Sequence, residues 1–94
     1  MSRDLELQKQ RGIKAKQLID DELVKSAFHD IKNNLIKKIT SSSFKEQDER
    51  EDCYRMLRAL ESVEGQFFKH IQTGKVAENK LSLAQKVVKT LREA

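Results

Sequence analysis

The chain has no proline or tryptophan, one cysteine, three glycines, and aromatics at only 5% of its 94 residues. Each shortage excludes something. A lone thiol, Cys53, cannot close an internal disulfide, which suits a reducing cytoplasm. With no C-x-x-C companion it reads as a buried free cysteine rather than a nucleophile working with His70. The glycines, Gly12, Gly65 and Gly74, stand isolated, and the Gly74–Lys75 pair lacks both the upstream glycine and the following Ser or Thr of a phosphate loop. Few aromatics argue against stacking on single strands. No apolar run approaches the roughly 18 residues needed to cross a bilayer, and MSRDLELQKQRG has no signal-peptide core. The expectation is a soluble protein that stays where it is made, with no membrane partner.

What is abundant is charge, at 36% of residues, for a net of +4. Composition of this kind also fits disorder, so the deciding question is whether the apolar residues recur at a structural period. They do. In residues 21 to 39, Val24, Phe28, Ile31, Leu35 and Ile39 recur at threes and fours, widened by Leu23, Ala27 and Ile36. That is a helical face, with Lys25, Lys32, Lys37 and Lys38 on the solvent side and Asp20 or Asp21 as cap. TSSS, residues 40 to 43, reads as a turn. A second stripe follows at Cys53, Met56, Leu57, Leu60, Val63, Phe67 and Ile71, with Gly65 as an optional point of close approach by another helix. Gly74 reads as a left-handed cap that ends or kinks this helix. A third stripe uses Ala77, Leu81, Ala84, Val88 and Leu91, with Val87 beside them and an uncertain start, since Ser82 and Gln85 also fit a cap. The N-terminal stripe, Leu5, Gln8, Gly12, Ala15 and Ile19, is interrupted by a polar residue and a glycine, so a short helix near 13–19 behind a frayed arm is expected.

These readings predict an all-α fold: a small helical bundle or helical hairpin with an additional C-terminal helix and a short N-terminal helix. The organisation is residues 1–19 as basic arm and short helix, and 20–94 as helical domain, with helices about 21–40, 44–73 and 76–92. The first two form an antiparallel hairpin because their connection is short. One domain of this length builds only a shallow core, so its stability margin is thin unless a partner helps.

SFKEQDEREDCYRML, residues 43 to 57, concentrates acids. Calcium-loop chemistry needs alternating acids and then a glycine to make the turn, and no glycine occurs there. Ser43 with Glu46 fits a capping box instead; the following acids favour the helix start, and Glu46–Arg50 and Glu51–Arg55 have the spacing of i,i+4 pairs. His29 and His70 belong to no ligand pattern and read as polar residues beside a stripe. No catalytic residue, metal, cofactor or small-molecule substrate is therefore expected, and the chain reads as a non-enzyme.

Charge is unevenly placed: residues 1 to 19 and 75 to 94 each carry +3, while 45 to 64 carry −3. That pattern allows the ends to pack near the middle or to meet an acidic partner. The candidate contacts for nucleic acid or an acidic partner are Arg3, Lys9, Arg11, Lys14, Lys16, Lys86, Lys89 and Arg92. The candidate helix-interface residues are Val24, Phe28, Ile31, Leu35, Leu57, Leu60, Phe67, Ile71, Leu81, Val88 and Leu91. The first expectation is a protein-interaction module that binds itself as a homo-oligomer or docks on another protein. The second is DNA binding through the basic arm, against which stand the modest net charge and the lack of a helix-turn-helix signature.

RGIKAKQLIDDELVKSAF (11–28), REDCYRMLRAL (50–60) and IQTGKVAENKL (71–81) together resemble a family of short helical proteins encoded by tailed bacteriophages. Those proteins tend to show an Arg-Gly, paired aliphatics, Asp before Leu, Ala-Phe, and Thr-Gly-Lys with a following Ala. The matches cover roughly half of this chain. It departs in having Glu22 where members often have proline, and no tryptophan near Ile39. The resemblance carries no established activity. It implies a viral origin, residence in the infected host's cytoplasm or the virion, and a role in particle assembly, DNA packaging as a terminase small subunit-like component, or host takeover.

Overall fold

A single non-helical residue, Asp21, separates the first two helices of the computed structural model, which describes residues 2–93. Its backbone is extended (φ −61°, ψ 131°), and its carboxylate accepts the amides of Leu23 and Val24 at 2.9 and 3.1 Å. The expected cap is thus made at Asp21, and it opens α2, Glu22–Ser41; α1 is Ser2–Asp20 and α3 is Gln47–Glu93. Among the described residues there is no strand, and the fold is all-α.

The chain divides into two compact units, each built on part of α3. In the unit formed by Ile19–Gln66, α2 lies antiparallel to the start of α3, as the pairings of Ser42 with Arg50 and of Lys32 with Glu64 require. Leu35 is buried, and Val24, Phe28, Ile39, Cys53, Leu57 and Leu60 are half-buried around it, whereas Ile31 faces water. Lys32 was placed on the solvent side by its spacing; its stem is instead half-buried and its ammonium pairs with Glu64 of α3.

In the other unit, Met1–Leu18 with Phe67–Ala94, α1 lies antiparallel to the end of α3. The seam is made of small residues: Gly12, Ala15, Gly74 and Ala77 are all buried. A methyl built on Gly12 would lie 2.8 Å from the Gly74 Cα and 2.9 Å from the His70 carbonyl oxygen; one on Gly74 would lie 2.8 Å from the Gly12 Cα and 3.1 Å from the Gln8 carbonyl oxygen. The two backbones touch.

Three expectations are corrected by this crossing. Gly74 neither ends nor kinks a helix: no described residue has positive φ, and α3 runs unbroken through 73–76. The helix near 13–19 extends to Ser2, because the glycine that interrupts the apolar stripe is the contact point, not a defect. Close approach at Gly65 does not occur, since nothing lies within 4 Å of its added methyl.

The turn before α3 also differs from the expected box. The Ser43 hydroxyl donates to the Glu46 carboxylate (3.0 Å), and the Glu46 amide bonds the Ser43 carbonyl oxygen (3.0 Å), so the helix starts at Gln47, not at 44. Arg50 reaches back to the Ser42 hydroxyl (2.9 Å) and the Ser43 carbonyl (3.2 Å), while Arg55 pairs with Asp52 (2.7 Å) and Glu51 (3.8 Å).

The glycines give predictions of opposite sign. Gly12→Ala and Gly74→Ala should each lower the unfolding free energy by a net of about 1–2 kcal/mol, because backbone atoms can yield only by moving their helix, and this outweighs the gain in helix propensity. Gly65→Ala meets open space and should raise it by about 0.5–1 kcal/mol. Urea unfolding followed by circular dichroism measures all three. At the helix junction, Asp21→Ala should cost about 0.5–2 kcal/mol. Glu22→Pro, at the first helical position after a residue already extended, should be neutral or stabilise by up to about 1 kcal/mol in the same assay.

Candidate interaction surfaces

All eight basic candidates lie on α1 or the last part of α3, and so in the unit Met1–Leu18, Phe67–Ala94. The structure brings together two stretches that sequence order keeps apart. Lys69, Lys75 and Lys80 join them there, so the unit holds eleven Lys and Arg against four Asp and Glu, a net of +7. The unit Ile19–Gln66 holds eight basic and eleven acidic side chains, a net of −3. Because α1 packs on the end of α3, like charges share one body, and both helices turn most of them to water: of the eight candidates only Lys9 is half-buried.

The apolar candidates divide by exposure. Leu35 is buried, and Val24, Phe28, Leu57, Leu60, Phe67, Ile71 and Leu81 are half-buried. Ile31, Val88 and Leu91 are exposed, as are Leu83 and Val87, so the stripe that begins at Ala77 is uncovered from Ser82 onward. An open trough of about 580 Å³ runs along that end, between Leu81, Ala84, Val88, Arg92 and Glu6.

A narrower groove of about 270 Å³ lies beside the glycine crossing. Ile13, Ile71, Gly12 and Gly74 line it together with Lys9, Lys16, Lys75 and Glu78, and its lining is mostly apolar.

The remaining conspicuous residue is Phe44, 96% exposed at the tip of the turn between α2 and α3. A phenylalanine left in water forgoes about 1.5–3 kcal/mol of burial. The turn beneath it is tied by the Ser43, Glu46 and Arg50 bonds and by the Ser42 hydroxyl on the Ile39 carbonyl (2.7 Å). Sequence reading passed over Phe44, since it belongs to no stripe; an apolar residue outside every stripe was the available signal.

Residues with reactive potential are dispersed. Cys53 is free and half-buried, not fully buried. His70 is exposed, and His29 is exposed with its Nε2 2.9 Å from the Asn33 amide nitrogen. Among the described residues no group of three or more His, Cys, Asp or Glu converges as metal ligands would, and no helix is long and apolar enough to cross a membrane.

No protein-family model, curated protein or solved structure matches the chain.

Proposed function

We infer that this chain is a non-enzymatic helical interaction module whose exposed apolar surface is covered by protein. One observation carries the reading. Among the described residues only Ala15, Leu35 and Ala77 are buried apolar side chains, and sixteen large hydrophobic residues are exposed. The resemblance to short helical proteins of tailed bacteriophages supplies the setting: a phage-encoded complex, such as one used in particle assembly, in the infected cell or the virion.

If a second copy supplies the cover, stability follows concentration. A hundredfold rise in protein should lift the melting temperature by roughly 5–10 °C, since mass action adds about 2.7 kcal/mol per dimer. Sedimentation across the same range should show the shift from monomer to oligomer. A monomer with an unchanged melting temperature throughout would remove self-association from the reading and leave only a different protein as partner.

The +7 unit favours a second reading, in which α1 and the end of α3 face the DNA backbone in a packaging complex. Neutralising five phosphates would give a slope of about −4.5 for log affinity against log salt. A flat or absent response in a fluorescence anisotropy titration would exclude it.

A further inference from the structure

We propose that Phe44 of one copy inserts into the lysine-lined groove beside Gly12 and Gly74 of a second copy. This rests on the reading that protein covers the exposed apolar surface, and it names the two surfaces that meet.

The donor side is presented in advance. Phe44 projects from a turn held by side-chain and backbone hydrogen bonds, so little freedom remains to be lost when the ring docks. The acceptor side has the right size. A cavity of about 150 Å³ is enough to hold a benzene ring, and this groove offers about 270 Å³ with a mostly apolar lining. The trough by Val88 has more than twice that volume and would leave a single ring loosely held.

Charge selects the same pairing. Around Phe44 stand Glu46, Asp48 and Glu49, within a ten-residue stretch (43–52) that holds five acids and two bases. The groove lining carries Lys9 and Lys75 beside one acid, Glu78, in a unit of net charge +7. Opposite charges brought within a Debye length, about 8 Å at physiological salt, steer the two surfaces together. An anionic lipid surface would repel the acids beside the ring, whereas the basic unit of another copy attracts them. The contact joins different patches on the two copies. It therefore builds a ring or an open chain of subunits, unless a two-fold arrangement uses both contacts at once.

Sedimentation of four samples tests this: the wild-type chain, Phe44→Ala, Ile13→Glu, and an equimolar mixture of the two variants. Both positions are exposed, so the variants should keep the wild-type helical signal. If Ile13→Glu loses it, Lys75→Glu, at an exposed position of the lining, takes its place. The wild type should self-associate, more weakly as salt rises. Each variant alone should associate on the order of thirtyfold more weakly, the effect of losing an interface anchor. The mixture should recover a one-to-one pair, because one copy keeps its groove and the other its Phe44. Phe44→Ala associating as tightly as the wild type, or defective variants that fail to pair when mixed, would overturn the proposal while leaving the interaction module standing on another surface. A wild type monomeric at every concentration would overturn it and also restrict the broader reading to a different protein as partner.

Discussion

The contact of two helix backbones at Gly12 and Gly74 governs how half of this molecule is built. Helices at ordinary separation are held by large side chains that fill the gap between them. Here the gap is closed by removing side chains, and dispersion between backbone atoms replaces the packing of leucines. The G-x-x-A spacing occurs on both helices, at 12–15 and 74–77, which puts the two small residues of each on one face.

With small residues in the seam of α1, several of its larger apolar residues stay outside. Leu7 and Ile13 face water, as do Val76 and Phe68 on the facing stretch of α3. The unit made by α2 follows the opposite plan, with Leu35, Phe28, Leu57 and Leu60 turned inward and the Lys32–Glu64 pair at the edge of the seam. That pair is partly exposed and adds more to register than to stability. Close packing by small residues therefore leaves Leu7, Ile13, Phe68 and Val76 outside on the body that also carries the basic charge.

The helices of the larger seams were legible because period and side-chain size agree there: the stripe from Val24 to Ile39 follows from pattern alone, and pattern narrows its cap to Asp20 or Asp21, of which the structure uses Asp21. The glycines were not. A glycine in a helical stripe has three meanings, namely a cap, a tolerated weak spot and a close approach, and only a partner helix distinguishes them. Gly74 has the local look of a cap, with Lys75 after it, yet takes a helical φ because Gly12 lies against it. Gly65, the offered close approach, meets nothing. The capping box failed on a finer scale: Ser43 and Glu46 are joined, but side chain to side chain, since Arg50 also claims this turn and draws its serines into a different network. Of the candidate surface, the basic residues were legible singly, but their gathering into one unit depends on α1 packing against the end of α3, which no local spacing encodes.

On the proposed docking, stability and recognition are coupled through the same two residues. The groove lies beside a crossing where the Gly12 and Gly74 backbones already touch, so a side chain added at either glycine would force the helices apart rather than fill it. A side chain arriving from another molecule faces no such penalty, because it enters from the open side after the backbones have met. An apolar occupant there would add burial that the crossing by itself lacks, and binding would stabilise the helix pair by mass action. On the proposed docking, the lysines that line the groove favour a guest bearing negative charge.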